Sequence, residues 1–120
     1  MLLPEKVKVG GVYYETKTMP TVRINHDRNY MGACDYTRLT IEILEELSDE
    51  RKEDVYAHEL VHAIFNEAGF DEHDEDTVTR LGKVLHQVLK DNTNFFCNKK
   101  ENDKRAKEKG EFNDNKNHPC

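Results

Sequence analysis

The clearest hydrophobic pattern in this chain is a strict alternation over Arg38–Leu44, RLTIEIL. Leucine and isoleucine occupy the odd positions from 39 to 43, whereas threonine and glutamate lie between them. A period of two places successive side chains on opposite faces of an extended chain. The pattern therefore predicts a half-buried strand.

Shorter β-prone stretches precede this strand. The segment Val7–Tyr14, VKVGGVYY, contains a Gly10-Gly11 pair that is typical of a turn or bulge between strands. A second short strand is predicted after Pro20, in TVRIN. The polar stretch 25–33, NHDRNYMGA, has the composition of a loop.

Helical periodicity replaces this alternation after residue 47. Ser48 or Asp49 can cap a helix whose pattern continues to Ala68 and stops at Gly69. An acidic connector, DEHDED, leads into a second helix, in which apolar residues recur at spacings of three and four: Val78, Leu81, Leu85, Val88 and Leu89. A few strands followed by two helices that pack together predict a small α+β fold.

The end of the chain differs sharply in composition. Asn98–Cys120 offers only Ala106, Phe112 and Pro119 as carbon-rich side chains before the final cysteine. Such a segment cannot bury enough surface to offset the entropy lost on ordering. We therefore expect residues 1–97 to form one domain and residues 98–120 to form a disordered charged tail.

Charge and cysteine content narrow the class of protein. The tail carries a net charge of +2, which leaves −8 on the rest, and an acidic domain argues against a nucleic-acid surface. Cys34, Cys97 and Cys120 are odd in number and lack CxxC spacing, which favours reduced thiols in the cytoplasm. Neither a signal peptide nor a membrane-spanning run is visible. We expect a soluble cytoplasmic monomer without a membrane or nucleic-acid partner.

Three polar side chains interrupt the apolar middle of the first predicted helix, VYAHELVHAIF. His58 and His62 lie on one stripe, one turn apart, and Glu59 lies about 100° round the helix. Two imidazoles at positions i and i+4 can both direct a nitrogen at one Zn²⁺ ion, and Glu59 can reach a water bound to that ion. A sequence of this composition contains HExxH by chance with a probability of roughly 3%. The alternative interpretation is therefore structural: two hydrogen-bonded histidines in the core and a glutamate at its rim.

The chemistry of an HExxH site follows from its parts. Zinc lowers the pKa of its water toward 7 and polarises a substrate carbonyl. Glu59 would accept the proton of the water and pass it to the leaving amine. The pattern thus predicts a catalytic base, Glu59, beside two metal ligands, His58 and His62.

A catalytic zinc normally has three protein ligands, and the candidates for the third lie in or after the acidic connector. Steps of three and four back from Val78 reach Glu75 and Asp74, which continue the core-facing stripe of the second helix. Glu75 has the longer reach and is the first choice. Asp74 is the second, and His73, earlier in the connector, is also open.

The order of these features resembles the minimal zinc-peptidase core of the ImmA/IrrE family. The shared features are the stretch MGACDYTRLTIEIL, an acidic link, a helix with HELVH, and a carboxylate that opens a second helix. The resemblance covers about Gly32–Asn92. That family usually has a small residue and an asparagine after its third carboxylate, whereas this chain has Asp76-Thr77-Val78.

The resemblance implies a zincin-like core in which short antiparallel strands precede the metal-binding helix and a second packed helix. It also implies a zinc metalloendopeptidase, with His58, His62 and, less directly, Glu75 as ligands and Glu59 as base. Members occur in bacteria and their mobile elements and commonly cleave a DNA-binding repressor, so a repressor is the expected substrate. The alternative is a non-catalytic zinc-binding or metal-free interaction module of a phage or mobile element.

Overall fold

The computed structural model of the protein describes residues 3–24 and 27–95. The chain divides into two compact units, Met1–Gln87 and Val88–Cys120. In the second unit, the described part contains the end of the last helix, where the Asn92 side chain donates to the Val88 carbonyl at 3.0 Å. The predicted tail, 98–120, lies outside the described residues.

The described residues form six strands and two helices. The strands are β1 (Lys6–Val9), β2 (Val12–Met19), β3 (Val22–Ile24), β4 (Asp27–Tyr30), β5 (Gly32–Asp35) and β6 (Thr40–Leu44). The helices are α1 (Asp49–Glu67) and α2 (Glu75–Asp91). The predicted α+β class is confirmed, as are the strand before the first helix and both helices.

Four strands form a mixed sheet in the order β1-β2-β6-β5, and β3 and β4 form a separate hairpin. β1 and β2 pair antiparallel across the predicted glycine turn, in which Gly10 has a φ of 63°. β5 and β6 also pair antiparallel. β2 and β6, however, run parallel, with Glu15 opposite Thr40, so the antiparallel expectation is wrong for this pair. A parallel pair requires a long connection, and the intervening strands supply it.

The predicted loop over residues 25–33 is wrong for most of its length. Residues 25 and 26 lie outside the described part, but β4 and the start of β5 fall within the rest. β4 pairs with β3, and β5 pairs with β6. Pairing with the neighbouring strands β3 and β6 satisfies the backbone of this polar stretch, and composition alone does not reveal that pairing.

Helix α1 packs on the sheet through a fully buried core. Ile41 and Ile43, the inward positions of β6, meet Tyr56 and Leu60 of α1. The Tyr14 hydroxyl of β2 donates to the Glu67 carboxylate at 2.7 Å. Burial, reinforced by that hydrogen bond, raises the pKa of Tyr14. The C-terminal end of α1 is thereby fixed to the strand that runs parallel to β6.

Both ends of α1 agree with the sequence. The Ser48 hydroxyl accepts a hydrogen bond from the Arg51 N–H at 3.2 Å, as an N-cap should. The helix ends before Gly69, whose φ of 100° is one that glycine adopts readily. None of the helices in the described part of the chain is long and apolar enough to cross a membrane.

Two glycines let other elements approach one turn of α1 closely. A Cβ on Gly32 of β5 would lie 2.5 Å from a Val55 methyl and 3.3 Å from the Glu59 Cγ. A Cβ on Gly82 of α2 would lie 3.2 Å from the His58 Cα. Both positions therefore exclude larger residues, and the turn that carries His58 and Glu59 is packed on two sides by backbone.

Candidate metal centre

The three predicted metal ligands meet at one point. His58 and His62 project from successive turns of α1, and Glu75 opens α2. The Nε2 atom of His58 lies 3.2 Å from one Glu75 carboxylate oxygen, and that of His62 lies 2.9 Å from the other. One ligand atom from each residue falls within 4.8 Å of the others. We call these three residues the metal cluster.

The two alternative third ligands have other contacts. Asp74 precedes α2, and its carboxylate accepts from the Thr77 hydroxyl at 2.7 Å and from the Thr77 N–H at 2.9 Å. Those hydrogen bonds lower the pKa of Asp74, as expected of a helix cap. His73 contacts His62 on the ring nitrogen that faces away from Glu75. The geometry therefore selects Glu75 from the three candidates.

The contact between His73 and His62 fixes which nitrogen carries the proton. The two Nδ1 atoms are 2.7 Å apart, and the rings are nearly coplanar, with an interplanar angle of 23°. The His73 Nε2 lies 3.2 Å from the Phe70 carbonyl oxygen, which can only accept, so this nitrogen is the donor. In neutral His73 the Nδ1 atom is then the acceptor, and His62 donates from its own Nδ1. In the neutral form of His62, the Nε2 atom then carries a lone pair directed at Glu75.

That lone pair has an electrostatic consequence. A neutral imidazole nitrogen and a carboxylate oxygen 2.9 Å apart are both acceptors, and they repel unless a proton or a cation lies between them. Burial lowers the pKa of His62, against the opposing effect of Glu75. Protonation of the ring is therefore disfavoured, and a metal ion placed between the two atoms would satisfy both of them.

Glu59 lies beside the cluster in a poorly hydrated position. Only 9% of the residue is exposed. Burial, and after it the negative charge of Glu75, raises the pKa of Glu59 from 4.5 to about 7. A carboxyl with a pKa near neutrality can both accept and release a proton at physiological pH.

The surroundings of Glu59 are negatively charged. Burial, then the charges of Glu59 and Asp35, raises the pKa of the Cys34 thiol to about 12. Tyr36 also has a raised pKa because of burial and the charges of Cys34 and the two glutamates of the site. Its hydroxyl lies 3.5 Å from the His73 Nδ1. With such raised pKa values Cys34 and Tyr36 are uncharged at neutral pH, so the negative charge near the metal cluster comes from carboxylates, and it favours a cation.

A cleft of about 260 Å³ opens next to His58 and Glu59. Its walls come from the β4–β5 junction, from the N-terminal half of α1 and from α2. The lining residues are Tyr30, Met31, Gly32, Asp54, Val55, His58, Glu59, Thr79, Gly82 and Lys83.

A second group of titratable residues joins the same two helices. The Nε2 of His86 lies 2.8 Å from a Glu53 carboxylate oxygen, and its Nδ1 lies 3.1 Å from an Asp54 oxygen. Glu53 is buried, whereas Asp54 is exposed. We call these residues the His86 cluster. The sequence places His86 on α2 but gives no sign of its two carboxylate partners.

Three residues of the site, Tyr36, His73 and Gly82, differ in how much of their position the sequence could reveal. Tyr36, just after β5, has no local signal. His73 was predictable as a candidate ligand but not as a partner of His62. Gly82 did carry a signal, because a glycine inside a helix costs about 1 kcal/mol relative to alanine and so indicates a packing reason.

Comparison with protein-family models, with curated proteins and with solved structures finds no match to this chain.

Proposed function

We propose that this chain is a zinc-dependent metallopeptidase of the ImmA/IrrE type that hydrolyses a peptide bond in one specific intracellular protein. The observation that carries the proposal is the convergence of the His58 and His62 Nε2 atoms on Glu75, with Glu59 buried alongside. The resemblance of the sequence to that family supplies the class of substrate, a DNA-binding repressor.

The donor set fits zinc. Two imidazole nitrogens and one carboxylate are a known ligand set for catalytic zinc, and three protein ligands leave a position open. The contact between the His62 Nε2 and Glu75, which a cation between the two atoms would relieve, supports the same assignment. When bound, zinc would supply a water of lowered pKa and polarise the carbonyl of the substrate.

Glu59 is the proton carrier in this proposal. It would accept a proton from the attacking water and deliver that proton to the leaving amine. Burial raises the pKa of Glu59 in the metal-free chain, and the positive charge of a bound zinc would favour the carboxylate form that accepts the proton. The close packing of Gly32 against the Glu59 Cγ limits how far this side chain can move.

His73 is a positioning residue for His62. Its Nδ1 accepts from the His62 Nδ1, and its own orientation is fixed by the Phe70 carbonyl. Partners of this kind hold a ligating imidazole in the correct tautomer and ring orientation. The connector between the helices thus supports the metal cluster through a ligand that α1 provides.

The test is cleavage of candidate repressors by purified, zinc-loaded protein. We expect a defined cut by the wild type and none by Glu59→Gln, which removes the base and retains the three ligands. Glu46→Gln, an exposed glutamate outside the site, is the matched control and should cleave normally.

Cleavage that persists in Glu59→Gln would contradict the mechanism. Binding of a repressor without cleavage by the wild type would favour the alternative, a non-catalytic interaction module. Zinc content measured on the same samples separates a metal-free module from a zinc-binding one.

A further inference from the structure

The cleft beside the metal cluster is walled mainly by carbon atoms. Val55 and the two close-packed glycines, Gly32 and Gly82, form its inner walls. Tyr30 and Met31 stand at its mouth and remain 38% and 47% exposed. Large apolar side chains left exposed at the mouth of an apolar cleft gain free energy when a ligand covers them.

The size of the cleft limits what it can hold. Its volume of about 260 Å³ is below the roughly 300–1,000 Å³ of pockets that enclose a drug-sized ligand. A cofactor or nucleotide is therefore too large. A single amino-acid side chain fits.

The charges of the cleft do not favour a charged side chain. Asp54 and Lys83, the charged lining residues apart from Glu59, have opposite signs, and Asp54 already contacts His86 at 3.1 Å. A charged group entering the cleft would lose hydration without gaining a net attraction. An apolar side chain has no charge hydration to lose on entering the cleft.

The cleft lies so close to the metal cluster that the side chain reaching it would be one next to the scissile bond. His58 and Glu59 belong both to the cleft and to the proposed reaction centre. A peptide whose scissile carbonyl lies at the metal cluster therefore has a neighbouring residue within one side-chain length of the cleft.

We propose that this cleft is a specificity pocket that binds an apolar side chain, of the size of leucine or methionine, next to the bond that is cut. This inference rests on the proposed peptidase function and adds the chemical class of the residue that the substrate must present. Gly32 and Gly82 set the width of the pocket, since any larger residue at either position meets α1.

The test uses peptides that carry a zinc-binding hydroxamate and differ only in the adjacent side chain: glycine, alanine, leucine, phenylalanine, aspartate or lysine. Their affinities for the zinc-loaded full chain are measured by calorimetry, which does not require turnover. We expect the leucine peptide to bind roughly tenfold to hundredfold more tightly than the glycine peptide, from burial of its side chain. The aspartate and lysine peptides should gain nothing over glycine.

Two variants locate the effect. Thr79→Phe places a ring in the cleft from an exposed helix position and should abolish the preference for leucine. Val84→Phe adds the same ring at an exposed position of α2 outside the cleft and should leave the preference intact. As an independent check, Met31→Ala widens the mouth and should move the optimum from leucine toward phenylalanine.

Equal affinity across the peptide series would contradict the proposal that the cleft is a specificity pocket. An equal loss of preference in both phenylalanine variants would contradict it as well. If the hydroxamate peptides bind with the expected preference, but matched peptides with an ordinary amide bond in place of the hydroxamate are never hydrolysed, the pocket is supported and the proposed reaction is contradicted. The two proposals can therefore fail separately.

Discussion

Two histidine–carboxylate clusters lie on the same pair of helices and use the imidazole ring in opposite ways. In the metal cluster, two rings from α1 face one carboxylate, that of Glu75. In the His86 cluster, one ring from α2 faces two carboxylates, those of Glu53 and Asp54. The distances are similar, from 2.8 to 3.2 Å.

The ratio of rings to carboxylates separates an ion site from a structural contact. Carboxylate oxygens only accept, and each nitrogen of His86 faces one of them, so hydrogen bonds from the ring can account for these contacts. In the metal cluster, the contact with His73 leaves the His62 Nε2 with a lone pair aimed at another acceptor. A proton or a cation between these two acceptors relieves their repulsion, and the metal cluster has the donor set that could hold a metal ion.

Removal of both ring ligands should produce the largest effect. We expect His58→Ala with His62→Ala to abolish stoichiometric zinc binding, because Glu75 alone is a weak and exposed site. Metal analysis of dialysed protein measures this. His86→Ala is the matched control and should bind one zinc per chain. Equal zinc content in the wild type, the double variant and His86→Ala would show that the metal cluster does not bind zinc in preference to the His86 cluster.

The charge on Glu59 should destabilise the metal-free protein at high pH. Burial raises its pKa from 4.5 to about 7 in the folded chain, so the folded state binds the proton more tightly than the unfolded state does. The resulting stability is fully present below pH 4.5 and is lost as the pH rises through 7, by about 3 kcal/mol. Glu59→Gln should therefore match the wild type at pH 4.5 and exceed it at pH 8.

Urea unfolding of zinc-free protein at several pH values measures this difference. The subtraction cancels the other titrating groups, which both proteins share. A constant difference between pH 4.5 and pH 8 would show that Glu59 is not held in a poorly hydrated position. With zinc bound, the difference should shrink, because the positive charge stabilises the carboxylate.

Loss of His73 should weaken zinc binding without abolishing it. We expect His73→Ala to lower the affinity by roughly tenfold to hundredfold, because the His62 ring loses the partner that fixes its tautomer. In His73→Asn, the side-chain oxygen can replace the Nδ1 acceptor, so most of the affinity should return. Competition with a zinc indicator measures both, and an equal loss in the two variants would point to a purely structural role.

The smallest effect is expected for the His86 cluster. His86→Ala removes hydrogen bonds to Glu53 and Asp54 and should lower the free energy of unfolding by roughly 1–2 kcal/mol, most of it through the buried Glu53. Thermal or urea unfolding measures this. A loss of zinc affinity in the same variant would mean that the two clusters are coupled through α1.

The parts of the site that the sequence predicted are those with local causes. His58, Glu59 and His62 are related by helix geometry alone, and Ser48 and Gly69 mark the ends of the helix that carries them. Even Glu75 could be chosen, because stepping back along the apolar stripe of α2 reaches it.

The parts that could not be predicted depend on pairing and packing that residue types do not reveal. The polar stretch that forms β4 and enters β5 has the composition of a loop, yet it pairs with its neighbours along the chain, β3 and β6. The sequences of β2 and β6 contain no signal that these two strands pair in parallel. His73 was ambiguous because a connector residue can take several positions, and only packing decides which nitrogen of His62 it meets.

The parallel pairing of β2 with β6 has a consequence for how this protein can be re-engineered. The connection between those strands carries Tyr30 and Met31, at the mouth of the cleft, and Tyr36, near the metal cluster. Its two ends are anchored in the sheet, while His58, Glu59 and His62 belong to a separate helix that follows. Variation inside this connection, in libraries or in natural lineages, can therefore change what is recognised while the chemical groups stay in place, with Gly32 as the position that must be kept.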